Sequence, residues 1–211
     1  MIPVESWLAF AAASAVLLVI PGPTILTVIS YSVTHGRRAA IPLVTAVALG
    51  DSTALAFSLL GLGSVLAASS MAFTLVKAAG GAYLVYLGVK MIRTGLAKAT
   101  AGSAATPVGV SRRRLFLNTY GVTATNPKGI IFYMAFLPQF VDTAAPAAAQ
   151  MLILAVTFVT LAIVNAALYT AFAGYAAQLL ATGNARRIFH ISGGSLLSAA
   201  GLWTALARRS I

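Results

Sequence analysis

Residues Glu5–Val33 read ESWLAFAAASAVLLVIPGPTILTVISYSV. The run is apolar over more than the ~20 residues a helix needs to cross a bilayer core. It is also interrupted, because Pro21-Gly22-Pro23 falls inside it. Proline lacks an amide N–H and clashes with the preceding turn, so the helix breaks or kinks there.

The same combination returns in the second half of the chain. Leu115–Phe140 reads LFLNTYGVTATNPKGIIFYMAFLPQF, with Asn126-Pro127 at its middle. Four further apolar stretches bring the candidates to six: Ala40–Leu66, Met71–Met91, Ala147–Leu180 and Ile188–Leu206. Short connections join them and leave no room for a soluble domain of ordinary size. The predicted fold class is an all-α membrane protein of six transmembrane helices.

Composition points the same way. Of 211 residues, 60% are hydrophobic and 8% charged, where a soluble domain carries about 25% charged residues. The net charge of +11 would suggest nucleic acid in a soluble protein. Here the basic residues sit at span ends, where they set orientation, so no nucleic-acid partner is expected. Arg37 and Arg38, then Lys90, Arg93, Lys98 and Arg112–Arg114, then Arg186 and Arg187 fall on one side. Lys and Arg accumulate on the cytoplasmic side, so both termini are predicted outside. Arg208 and Arg209 break that pattern. Trp7 and Trp203 share the outer interface or simply pack. Met1–Trp7 lacks the basic start of a signal peptide, so the first apolar stretch is expected to be retained. Cysteine is absent, which excludes disulfides and thiolate metal sites.

The chain divides into two comparable parts: residues 1–94, a small and polar cytoplasmic linker at 95–111, and residues 112–211. GGAYLVYLG at Gly80–Gly88 and GGSLLSAAG at Gly193–Gly201 carry glycines at one spacing. Such glycines let membrane helices approach closely. Each part has three candidate spans, an odd number, so the second enters the membrane in the opposite sense. Two inverted three-helix repeats, each led by a broken helix, are the sequence pattern of a transporter site at mid-bilayer.

Four sets of residues could carry the chemistry. Asn126 is a good N-cap and Pro127 a good first helical residue, and Gly22 and Pro23 match those roles. With Pro21 and Thr24 they would present free N–H groups and a positive dipole end to a carboxylate. A proline kink without ligand is the plainer alternative. Lys128 lies in the first turn after the second break, where a cation opposes the helix dipole. It needs a partner, a substrate carboxylate or Asp51, unless it snorkels to an interface. Asp51 is one of three acidic residues, with Glu5 and Asp142 at span ends. It is the one candidate for proton coupling through a membrane carboxylate, and a structural ion pair with Lys128 is the competing view. Asn165, in the span that repeats the second, either binds a substrate amino group or bonds between helices. Lys77 and His190 read as interfacial; His35 does too, or relays protons.

Taken together, PGPTILTVISYSVTHGRRAA, ALGDSTALAFSLLGLG, VKAAGGAYLVYLGVKMIRTG and NPKGIIFYMAFLPQFV resemble the LysE/RhtB family of amino-acid exporters over nearly the whole chain. One departure is Ala39-Ala40, where that family usually places Gly after the basic residue. The resemblance implies export of amino acids or close derivatives across the bacterial inner membrane, driven by the proton motive force. The expected partners are an amino-acid substrate, protons and the lipid bilayer, with a homodimer left open. No catalytic residue, metal or cofactor is expected. The alternatives are an exporter of metal or other small ions and an intramembrane enzyme. Metal transport favours clustered Cys, His or carboxylates, and HExxH and the Walker GxxxxGK[ST] are both absent. An aspartyl protease needs a second membrane carboxylate. The Ser192–Ser195 run beside His190 lacks an evident base.

Overall fold

A computed structural model describes residues 2–68, 70–96, 110–142, 145–181 and 183–206. Positions 97–109 of the expected linker, Ser69 of the second turn, Arg208 and Arg209 lie outside the described residues, as do the side chains of Lys77, Arg186 and Trp203. Among the described residues the structure is helical, without strands.

The first apolar run is two helices, α1 (Val4–Val19) and α2 (Pro23–His35). Ile20 turns to an extended conformation and Gly22 is extended too, so the backbone straightens across Ile20-Pro21-Gly22 before Pro23 restarts the helix. A 3₁₀ turn at Gly36–Ala39 leads to α3 (Ala40–Ala68), followed by α4 (Ser70–Leu96). α4 therefore extends two residues into the segment expected as linker. After that segment, the Ser111 hydroxyl caps α5 (Arg112–Ala124) by accepting from the Arg114 amide at 3.3 Å.

The second break falls where Asn126 predicts it. Its side chain accepts from the Lys128 amide at 3.1 Å, and α6 (Pro127–Ile131) begins at Pro127. The chain beyond this restart is not a simple half-helix. α6 is one short turn, continued by a π segment at Phe132–Phe136 and a 3₁₀ turn at Leu137–Phe140. Pro138 lies in that last turn. It brings no N–H to an α-helical ladder, and the chain closes in the tighter 3₁₀ form there. The fifth candidate also divides, at Phe172, into α7 (Ala147–Ala171) and α8 (Ala173–Ala181). α9 (Gly183–Leu206) ends the described chain.

Among the described residues, Pro23–Gly61 and Ala147–Ala171 are long and apolar enough to cross a membrane by themselves, and Val4–Val19 is apolar but shorter. The first and fourth candidates are cut by their own proline breaks.

The core is aromatic on one side and aliphatic on the other. Phe132 stacks on Phe136 and packs on Phe10 and Phe158, while Phe10 meets Phe140 edge-on at 5.4 Å. Leu43, Val47, Leu154 and Ala162 fill the side toward α3 and α7. This packing ties the π segment to α1 and α7.

α4 and α9 form the most extensive helix pair, and glycines set their separation. A Cβ on Gly88 would overlap the Gly194 carbonyl and the Ser198 amide; a Cβ on Gly201 would overlap the Gly81 carbonyl and the Val85 amide. The two contacts are one arrangement with the helices exchanged. At the far end of the bundle, Arg37 and Arg38 line a groove with Arg112 and Arg113, which gathers the basic ends of the first and fourth candidates.

Candidate functional site

A helix that stops leaves its last carbonyls without intrahelical partners. α1 stops in the interior, so its carbonyls need donors from elsewhere. Lys128 Nζ donates to the carbonyls of Leu17 and Ile20, both at 3.0 Å. Asn165 Nδ2 donates to Leu18 at 3.1 Å, and the Tyr169 hydroxyl donates to Val19 at 2.7 Å. Four successive carbonyls are thus satisfied by side chains from α6 and α7, in the other half of the chain. Donors bearing positive charge or N–H and O–H groups suit this end, which carries the negative pole of the helix.

Lys128 thus donates to main-chain carbonyls, while Asp51, one of the partners expected for it, borders the same cavity and acts on it through charge. The lysine stem carries the charge away from the N-terminus of α6, where it is unfavourable, to the C-terminus of α1, where it is favourable. Of the two roles open for Asn165, the structure shows the bond between helices.

Thr24 and Asn126 join the two breaks directly. Asn126 Nδ2 donates to Thr24 Oγ1 at 3.1 Å, while its oxygen caps α6. Both residues are buried. Pro21 and Pro23 flank Gly22 and hold the straightened segment beside Lys128. A Cβ on Gly22 would lie 3.2 Å from Lys128 Nζ and 3.3 Å from its Cε, so glycine here admits the lysine.

Asp51 is buried on α3 and accepts from the Tyr133 hydroxyl at 2.8 Å. Tyr133 is fully buried against Phe158, at 4.9 Å between rings. Asp51, Lys128, Asn126, Thr24, Gly22, Asn165 and Tyr133 all border one internal cavity of about 30 Å³. Such a space holds a water molecule and is too small for an amino acid. A larger cavity of about 370 Å³ lies across Leu17 and Ile20, but alanine, aliphatic and phenylalanine side chains line it, with no charged group. Of these two cavities, the charged groups border the smaller one. Among the described residues, no three of His, Cys, Asp and Glu come together as metal ligands.

Sequence reasoning missed Tyr133 and Tyr169. Tyr169 stands four residues after Asn165, so the two share a helix face, and that spacing was the available signal. Tyr133 carries no such signal, because its π segment sets its direction.

An apolar helical bundle with two interrupted helices, their ends capped across the halves around a small ionic cavity, has the make-up of a membrane transporter. The LysE type translocator family matches residues 15–207, and the chain belongs to that family. It is a membrane transporter, not an enzyme. Relatives include an uncharacterized membrane protein of Vibrio cholerae serotype O1, 29% identical and covering 97% of this chain and 98% of its own length. A homoserine/homoserine lactone efflux protein of Salmonella typhimurium is 34% identical over 84% of this chain and 83% of its own. A leucine efflux protein of Salmonella choleraesuis is 30% identical over 80% of this chain and 82% of its own. No solved structure matches the chain.

Proposed function

We propose that this chain exports amino acids or close derivatives from the bacterial cytoplasm, as a multi-pass secondary transporter of the inner membrane driven by protons. The observation that carries the reading is the interior end of α1, held by Lys128, Asn165 and Tyr169 around a cavity that contains Asp51. Relatives named for the efflux of homoserine, homoserine lactone and leucine support it.

In this reading, six spans form two inverted repeats, residues 1–94 and 112–211, with both termini outside. α1 with α2 and α5 with the segments after it each make one broken span. The exchanged contacts of Gly88 and Gly201 support the inverted relation. An inverted pair can open one site to either side in turn, which is alternating access. The cavity of about 30 Å³ then belongs to a closed arrangement, and the helices around the two breaks part to admit substrate. The N-terminus of α2 at Gly22–Thr24 and the Lys128 ammonium group favour a carboxylate. Asp51 is the proton site, with Tyr133 bonded to it. Asn126, Thr24, Pro21, Pro23 and Pro127 hold the breaks in shape.

An efflux panel tests the reading. The chain is overexpressed in bacteria loaded with dipeptides, and the common amino acids, homoserine among them, are measured in the medium. One or a few should rise several-fold over cells with empty vector. No rise for any of them, with the protein present in the membrane, refutes the function.

A further inference from the structure

The carbonyls that end α1 differ in what holds them. Leu18 and Val19 are bound by neutral groups on α7, a helix of 25 residues. Leu17 and Ile20 share a single ammonium group at equal distances of 3.0 Å. An ammonium group is a compact charge with three N–H donors, and it sits here at the negative pole of a helix of 16 residues. Its tether is flexible, and the residue beside its tip is a glycine, Gly22. Gly22 brings no side chain to hold the lysine tip in place.

We infer that the Leu17 and Ile20 carbonyls form a binding subsite for a primary ammonium group, and that Lys128 is its resident occupant in the empty carrier. The incoming ligand supplies its own ammonium group to the two carbonyls. Lys128 is displaced and turns to the ligand's carboxylate. A zwitterion balances this exchange, because it brings one cation for the carbonyls and one anion for the lysine. A quaternary ammonium group has no N–H to give and is rejected. The placement of a zwitterion rests on the amino-acid reading above; the ammonium subsite itself does not, and is tested without transport.

The test compares purified Lys128→Ala with the unaltered protein in detergent. Thermal unfolding is followed in ethylammonium chloride and in tetramethylammonium chloride at equal concentration. Lys128→Ala leaves two carbonyls bare and should unfold at a lower temperature. Ethylammonium should raise that temperature by about 2–4 °C, the shift expected from roughly 1 kcal/mol in a chain of this size. Tetramethylammonium should not raise it, and neither salt should move the unaltered protein, whose subsite is filled. Equal effects of the two salts on Lys128→Ala overturn the inference. If this variant is too unstable to purify by the ordinary route, its monodisperse yield after solubilisation in each salt replaces the melting curve. Equal yields then overturn the inference, and a yield favouring ethylammonium supports it. Selective rescue in a protein that exports no amino acid would leave the subsite standing while the export reading fails. Export without selective rescue would do the reverse.

Discussion

Replacing Asp51 by Asn separates proton coupling from binding. The Tyr133 hydroxyl donates to Asp51 Oδ1 at 2.8 Å, and the amide oxygen of Asn can accept the same bond. A hydrogen bond to a charged group contributes about 1.5–3 kcal/mol against about 1 kcal/mol for a neutral one. The fold should therefore lose on the order of 1 kcal/mol and survive. The functional loss should be much larger. One pH unit across the membrane corresponds to about 1.4 kcal/mol per proton, which sustains about a tenfold substrate gradient for each proton coupled. In proteoliposomes with an imposed pH difference, the unaltered protein should build that gradient and Asp51→Asn should build none. Counterflow of the substrate identified by the efflux panel, at equal pH on both sides, should persist in Asp51→Asn, because it needs the site and not the proton. A gradient that follows the pH difference normally in Asp51→Asn refutes the role of this carboxylate.

Other substitutions probe the packing, the capping and the orientation. Gly88→Ala and Gly201→Ala should each destabilise the protein by about 1–3 kcal/mol through overpacking of α4 against α9, with similar losses because their contacts are exchanged images; thermal unfolding of both in detergent checks this, and a normal melting temperature for either contradicts it. Asn165→Ala and Tyr169→Phe each leave one α1 carbonyl without its donor, and each should cost about 0.6–1.7 kcal/mol, the range for bonds between membrane helices; a pair of melting curves measures it, and no loss in either would mean that these caps are not needed. Ser6→Cys, the one thiol in a chain without cysteine, should react with an impermeant maleimide on intact cells; reaction only after the cells are permeabilised reverses the orientation.

Much of the architecture is legible in the sequence because membrane helices obey local rules. Apolar length marks each helical stretch, proline marks the breaks of the first and fourth candidates, and Asn126 before Pro127 marks where the helix restarts. The glycine spacing of Gly80–Gly88 and Gly193–Gly201 anticipates the close seam of α4 and α9, since a missing Cβ is a property of the residue itself. Asp51, Lys128, Asn126, Thr24, Gly22 and Asn165 could be singled out one by one, as polar groups or breaks in apolar surroundings. All of them border one cavity.

Their partners were decided by the tertiary structure. Sequence offered the cation of Lys128 a substrate carboxylate, Asp51 or an interface, since opposite charges and span ends are the partners visible in a string of residues. The fold gave it two main-chain carbonyls, which every residue possesses and which become available only where a helix ends inside the protein. The π segment at Phe132–Phe136 and the direction of Tyr133 were likewise settled by packing against Phe10, Phe158 and α3. Local chemistry fixed where the first and fourth candidates must break, and the meeting of the two halves fixed what those broken ends would hold, because bonds across some hundred residues of chain leave no trace in the spacing of neighbours.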